Sequence, residues 1–328
     1  MKQILQYLFN HNTLSKAEAK AILTEIAQNK FNENEVTAFV TVFLMRSITL
    51  DEMAGFQEAL LRLSVPVDLG THDLVDIVGT GGDGKDTFNI STLASFVVAG
   101  TGQKVAKHGN YGVSTISGSS NVLEELGYEF KTTSEELQSD LEKGNICFLH
   151  APLFHPALSS VAPLRRGLGL RTFFNILGPL VNPAKPKYSM IGVYSLEIAR
   201  IYQYLLQKKN ENFLIVHALD GYDEISLTSD TKFFDKSGEY IFSPEELGFK
   251  NIEPETIFGG NSQQEAASIF RNILEGNGTY EQNSVVVANA AMALKNTGKY
   301  GNYKECVTLA NESLKSGNAL KSLTNLIK

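Results

Sequence analysis

The chain has 328 residues, 43% of them hydrophobic and 20% charged, which is enough material for a large core and two domains. Its formal net charge of −7 disfavours extensive nucleic-acid contact, and no window approaches the roughly eighteen consecutive apolar residues of a membrane span. Two cysteines, Cys147 and Cys306, are too few for a disulfide framework, and MKQILQYLFN followed by polar HNTLSK lacks a secretory core with a cleavage site, so the expected setting is a reducing cytoplasm.

The first 65 residues read as helical. Ser15-x-x-Glu18, Asn32-x-x-Glu35 and Thr49-x-x-Glu52 each place a capping side chain three residues before a carboxylate. Val36, Phe39, Val40, Phe43 and Leu44 then follow helical spacing and form an apolar stripe suited to a core or a subunit contact. The loop Ser64 to His72, with Pro66 and Gly70, marks the expected boundary between a helical domain of residues 1–65 and an α/β domain of residues 72–328. Leu74–Val78, Lys104–Lys107, Ile146–Leu149, Met190–Tyr194 and Phe213–His217 read as strands separated by helical patterns, the spacing of parallel strands with crossovers. A hairpin is expected around Lys236–Gly238, followed by four helical stretches. In these, the apolar run Val285–Leu294, interrupted by Asn289, reads as a buried helix. The fold class is therefore α/β, a small helical domain beside a large domain with a mainly parallel sheet.

The segment from Asp76 to Gly127 carries the chemistry. In DIVGTGGDGKDTFNIST, Gly79, Gly81, Gly82 and Gly84 permit positive φ and let backbone N–H groups converge on an anion. Asn89, Ser91 and Thr92 are helix-capping types, so Thr92–Gly100 is expected to present its amino end to the same anion. Between Asp86 and Glu124 there is no Asp or Glu, although 36 acids in 328 residues would place about four there; Lys104, Lys107 and His108 are present instead. A tight turn with a capped helix would satisfy the first segment alone, but the Ser-, Gly- and Lys-containing KHGNYGVSTISGSS downstream favours phosphate. The G-x-G-x-x-G spacing of Gly79, Gly81 and Gly84 lacks the acidic residue some twenty positions on that a dinucleotide site uses. The P-loop pattern fails because Asp86 follows Lys85. Asp83 inside the loop would repel pyrophosphate unless a divalent cation or ribose hydroxyls intervened, so a sugar phosphate with Mg²⁺ fits better than NAD.

These motifs, GTGGD (Gly79–Asp83), FNIST (Phe88–Thr92), KHGN (Lys107–Asn110) and SGS (Ser117–Ser119), are followed by APLFHP (Ala151–Pro156), Arg165 and Arg166, RTFFNILGPLVNP (Arg171–Pro183) and DGYDEIS (Asp220–Ser226). In this order, over essentially the whole chain, they resemble the anthranilate phosphoribosyltransferase family. The resemblance implies a nucleoside phosphorylase/phosphoribosyltransferase-like fold whose helical domain is completed by residues 156–180. It also implies a homodimer formed through that domain and a cleft holding the site. The implied reaction joins phosphoribosyl pyrophosphate to the amino group of anthranilate with release of pyrophosphate, the second step of tryptophan biosynthesis from chorismate, without a covalent nucleophile. By the same resemblance Gly79, Gly82, Asp83, Thr87, Asn89, Ser91, Thr92, Lys107 and Ser119 hold phosphoribosyl pyrophosphate. Ser91, Asp223 and Glu224 hold Mg²⁺, two ions per subunit, and Gly79, His108, Asn110 and Arg165 meet anthranilate, with His150 and His155 nearby and Arg166 a structural neighbour. Taken alone, adjacent Asp223 and Glu224 also suit a solvated turn, and either Arg an ordinary helix surface.

Two positions depart from the family pattern: Tyr111 follows KHGN, where Arg is common, and Ile116 precedes SGS, where a basic or small residue is common. Three other readings are weaker. A pyrimidine nucleoside phosphorylase would be longer and carry an S-I-x-S-K-K segment; a nucleic-acid-binding relative would be basic and lack the DE pair; a generic phosphosugar module leaves Arg165 and FNILGPL unexplained.

Overall fold

A computed structural model describes residues 1–112, 115–159 and 161–327, apart from the side chain of Arg166, so Arg166 as a structural neighbour lies outside the described residues. In chain order the elements are α1 (Lys2–Phe9), α2 (Lys16–Ala27), α3 (Glu33–Met45), α4 (Leu50–Leu63), β1 (Val75–Gly79), α5 (Ile90–Gly100), β2 (Val105–Gly109), α6 (Ser119–Glu125), α7 (Ser134–Gly144) and β3 (Ile146–His150). There follow α8 (Ala151–Phe154), α9 (Ala162–Leu168), β4 (Tyr188–Gly192), α10 (Leu196–Lys208), β5 (Asn212–Ala218), β6 (Thr231–Phe234), β7 (Glu239–Phe242), α11 (Gln263–Leu274), α12 (Tyr280–Asn296), α13 (Tyr303–Lys315) and α14 (Asn318–Thr324). Among the described residues no helix is long and apolar enough to cross a membrane. The chain divides into two compact units, Met1–Pro66 with Ala151–Lys185, and Val67–His150 with Pro186–Lys328. The segment assigned to the helical unit in its second pass is thus longer at both ends than residues 156–180.

In the helical unit the three expected capping boxes form, each side chain accepting from the N3 amide while the N3 carboxylate accepts from the capping residue. Glu52 does more than cap. Fully buried, it also accepts from the Leu14 amide at 3.0 Å and from the Arg46 guanidinium at 2.5 and 2.9 Å. Burial alone would raise its pKa, but Arg46 and the N–H donors of Leu14 and Thr49 hold it below the ordinary value. The core is aromatic. Phe173, from the second pass of the chain, stacks on Phe56 with centroids 4.6 Å apart and meets Phe43 at 5.1 Å and Phe39 at 6.4 Å. This ring cluster centres the buried face of α3 on Phe39 and Phe43, so Val42 is buried and Leu44, expected in the stripe, is exposed.

The other unit is built on one seven-stranded sheet of order β3-β2-β1-β4-β5-β6-β7. Strands β1 to β5 pair in parallel, while β6 and β7 add antiparallel as the hairpin turning at Asp235–Gly238. The parallel strands are buried on both faces, as the apolar runs require, and the wholly buried Val285–Leu294 run lies in α12. β4 starts and ends two residues earlier than Met190–Tyr194, because Ser195 turns the chain to cap α10 by accepting from the Ile198 amide. The chain leaves β1 toward β2 on one side and reaches β4 on the other. The carboxyl ends of β1 and β4, where Gly79 pairs with Gly192, therefore form a topological switch point, the usual ligand crevice of such sheets.

Candidate active site

β1 ends at Gly79 and the chain enters the glycine loop, with Gly81, Gly82 and Gly84 at φ of 61, 73 and 75°. Gly79 itself has no positive φ, contrary to the reading that grouped it with these three. Its requirement is space, because a Cβ there would overlap the Asp223 carboxylate. The far end of the loop is pinned by backbone pairing of Thr87 with Phe258 and by the Gly259 amide donating to Asp86 O at 2.7 Å.

Helix α5 begins at Ile90, two residues before the expected start. Asn89 occupies the capping position without a capping bond. Its carboxamide donates instead to Ser117 O at 3.0 Å, joining the first loop to the second. Ser91 and Thr92 lie in the first turn, where the helix dipole faces the carboxyl ends of the strands.

The loop after β5 brings Asp223 and Glu224 to this turn. Asp223 accepts from the Gly81 amide at 2.7 Å, and Glu224 from the Ser91 amide at 3.3 Å. Lys107 of β2 is buried and reaches across, donating to Ile77 O at 2.5 Å with its ammonium 3.5 Å from Ser91 Oγ. The assembled charges are predominantly negative. Burial and then the charge of Asp83 push Asp223 up to about 7. Burial and the Asp223 charge push Glu224 well above its ordinary value against the opposing pull of Lys107. Burial lowers the Lys107 ammonium, with Asp76 and Glu224 pulling it back.

Such a concentration of carboxylates at an expected polyanion site is what a bound cation would offset. Among the described residues no three His, Cys, Asp or Glu converge into a metal cage. Two adjacent carboxylates and the Ser91 hydroxyl nonetheless fit Mg²⁺, which takes few protein ligands and shares the rest with phosphate and water.

Lys104, counted toward an anion surface, does not belong here. It stands just before β2, at the opposite end of that strand, and donates to Leu141 O. The second loop folds back on itself: Asn110 O accepts from the Ser120 amide at 3.1 Å and from Ser119 Oγ at 3.3 Å, and Asn121 Oδ1 accepts from the Gly112 and Gly118 amides. Tyr111 donates to Glu124 at 2.7 Å and lays its ring edge-on to His150 at 4.8 Å, while Ile116 is exposed. His150 is held for packing, stacked on Phe130 at 4.2 Å with Nδ1 2.8 Å from Ser120 Oγ, and burial lowers its pKa. In the helical unit, Arg165 of α9 lies over the Phe174 ring, its guanidinium carbon 5.6 Å from the centroid. Burial lowers its pKa, and no carboxylate among the described residues pairs with it. Burial pushes His155 down to about 4, so it is neutral.

The structure thus gathers Gly79, Gly81, Asp83, Ser91, Lys107, Asp223 and Glu224, and adds residues not singled out as site residues from the sequence. Asp76, buried in β1, accepts from the His108 amide at 3.2 Å and faces Lys107; an acid inside the apolar run LVDIV was its signal. Gly192 leaves room for the Asp223 carbonyl, and Asn289 holds the residue after Glu224.

Residues 71–320 match the sequence profile described as "Glycosyl transferase family, a/b domain", and residues 2–64 that of its helical bundle domain. The chain is 53% identical over 326 residues to the anthranilate phosphoribosyltransferase of Flavobacterium johnsoniae, covering 99% of this chain and 98% of that one. The crystal structure of the Thermus thermophilus anthranilate phosphoribosyltransferase superposes with a TM-score of 0.90 at 34% identity, over 98% of this chain and 97% of that one. The Saccharomyces cerevisiae enzyme in complex with phosphoribosyl pyrophosphate and Mg gives a TM-score of 0.90 at 29% identity, over 98% and 95%. With half the sequence identical to a relative along its whole length, and with the glycine loop, helix start and acidic pair assembled at the switch point, the chain belongs to the anthranilate phosphoribosyltransferase family.

Proposed function

We infer that the site at the ends of β1, β2 and β5 carries the family's reaction in this chain. That reaction transfers the 5-phosphoribosyl group from phosphoribosyl pyrophosphate to the amino nitrogen of anthranilate. The bond from the anomeric carbon to pyrophosphate breaks, a bond to nitrogen forms, and the nitrogen then loses a proton. The observation that carries this assignment is the convergence of Gly81, Ser91 and Lys107 with Asp223 and Glu224, residues brought together from three separate strand ends. Gly79, Gly82, Asp83, Thr87, Asn89, Ser91, Thr92, Lys107 and Ser119 hold phosphoribosyl pyrophosphate, with loop and helix amides directed at its phosphates. Ser91, Asp223 and Glu224 hold Mg²⁺, two ions per subunit, and the ions when bound offset charge on the departing pyrophosphate. Anthranilate meets Gly79, His108 and Asn110, and its carboxylate pairs with Arg165, a buried guanidinium with an aromatic ring beside it and no acidic partner among the described residues. No side chain need act as nucleophile or base, because an aniline nitrogen carries a free lone pair at neutral pH.

The protein works as a cytoplasmic homodimer formed through its helical unit, a reading supported by the exposed apolar side chains Tyr7, Phe9, Leu44 and Met45 of α1 and α3. Purified protein mixed with phosphoribosyl pyrophosphate, Mg²⁺ and anthranilate is expected to consume anthranilate fluorescence. An Asp223→Asn, Glu224→Gln double variant is expected not to. Sugar-phosphate binding without fluorescence loss would reject the acceptor, and equal rates in the double variant would reject the metal site.

A further inference from the structure

Asn289 lies at the centre of the apolar run in α12 and is fully buried. A carboxamide there is costly unless its polar atoms are satisfied, and they are satisfied in an informative way. Oδ1 accepts from the Ile225 amide at 3.1 Å, and Nδ2 donates to Ile225 O at 2.9 Å and to Val285 O at 2.9 Å. The two bonds to Ile225 grip both polar groups of one backbone residue, as a neighbouring strand would, and that residue directly follows Glu224. On the other side, Gly79 and Gly192 are register partners on β1 and β4, and each lacks a Cβ where Asp223 needs the space, the first for its carboxylate and the second for its carbonyl. The acidic pair is therefore held between a glycine rung of the sheet and one side chain of α12.

Building on the assignment of Mg²⁺ to Asp223 and Glu224, we propose that Asn289 is a positioning residue that sets these carboxylates for the metal. It touches neither substrate nor ion. Outer partners that orient metal ligands typically change metal affinity by 10- to 100-fold when removed.

The test uses Mn²⁺ as a paramagnetic stand-in for Mg²⁺, titrated by electron paramagnetic resonance into the full chain with phosphoribosyl pyrophosphate and no anthranilate. Asn289→Ala and the milder Asn289→Ser are compared with Val286→Ala, which removes buried volume from the same helix but no atom of the three Asn289 hydrogen bonds. Both Asn289 variants are expected to weaken Mn²⁺ binding about tenfold or more, to lower kcat at fixed Mg²⁺ with partial recovery at high Mg²⁺, and to leave KM for anthranilate unchanged. Val286→Ala is expected to lower Tm with Mn²⁺ affinity intact. Wild-type Mn²⁺ affinity in folded Asn289 variants overturns the proposal, as does an equal loss in Val286→Ala. Failure of both Asn289 variants to fold also overturns it, since the role would then be stability. Absence of protein-bound Mn²⁺ in the wild type, or binding unchanged by Asp223→Asn, would instead reject the metal assignment itself.

Discussion

Neutralising Asp223 is expected to stabilise the metal-free protein while destroying its Mg²⁺ site. The folded chain raises this carboxyl from 3.8 to about 7. Between about pH 4 and pH 7 the native site keeps a proton that the unfolded chain releases, so native stability falls as pH rises through that window. Three pKa units at about 1.4 kcal/mol each give an upper figure of about 4 kcal/mol at pH 8. Asn can still accept from the Gly81 amide, but a neutral acceptor replaces a charged one and returns about 1 kcal/mol of that gain. The net gain of Asp223→Asn is then about 3 kcal/mol, on the order of 5–10 °C in Tm for a unit of this size. Glu224 is relieved as well, since the Asp223 charge is one of the causes of its own upward shift. Melting curves in a chelator at pH 8 and pH 5 test this: the variant should melt higher at pH 8, and the gap should shrink by more than half at pH 5, because most of the window between the two pKa values lies above that pH. Adding Mg²⁺ with phosphoribosyl pyrophosphate should then raise the wild type by about 3 kcal/mol at 100-fold saturation and the variant by clearly less. A variant no more stable than wild type at pH 8, or equally more stable at both pH values, would refute the reasoning.

If Mg²⁺ is held by Asp223 as proposed, it displaces that residue's proton, so Mg²⁺ affinity measured calorimetrically with phosphoribosyl pyrophosphate should weaken as pH falls below about 7, by roughly tenfold per unit for one proton. Gly192→Ala puts a methyl group on the Asp223 carbonyl; steady-state kinetics should show at least a hundredfold loss of kcat/KM, and near-wild-type activity would disprove the crowding inferred there. Arg165→Ala should raise KM for anthranilate far more than KM for phosphoribosyl pyrophosphate, and equal effects on both would sink its pairing with the carboxylate. Glu52→Gln should cost on the order of 3 kcal/mol at pH 7 in denaturant titrations, since it leaves Arg46 without its charge partner. The folded pKa of Glu52 lies below 4.5, so that contribution is present above this value and the gap between variant and wild type should shrink as pH falls below it.

Much of the fold was legible because its signals are local. The boxes at Ser15, Asn32 and Thr49 need only residues three apart, and all three form. Strand positions followed from short apolar runs, and the parallel sheet from their spacing. Errors arose where a partner distant in sequence decided the outcome. Leu44 lost its place in the core because Phe173, far along the chain, centres the packing on Phe39 and Phe43. Asn89 gave up capping because Ser117 O offers its amide a partner. Lys104 was grouped with Lys107 by composition, yet Lys104 precedes β2 and donates to Leu141 O, while Lys107, inside the strand, reaches Ile77 O at the site.

By itself the sequence determined the chemistry available to this protein: a glycine loop able to aim its amides at phosphate, an adjacent pair of carboxylates, a lysine and an arginine in motif order, and strands and helices whose periodicities admit one class of fold. Local bonding rules act over a few residues and can be read from a few residues. Only the tertiary structure decided that Asp223 sits on Gly81 and Glu224 on Ser91, that Gly79 and Gly192 are glycines for the sake of Asp223, and that a buried asparagine in an apolar helix grips the residue beside them. Those contacts join positions separated by 31 to 144 residues, and what makes them necessary, burial of like charges in a crevice of low dielectric, exists only once the strands are side by side.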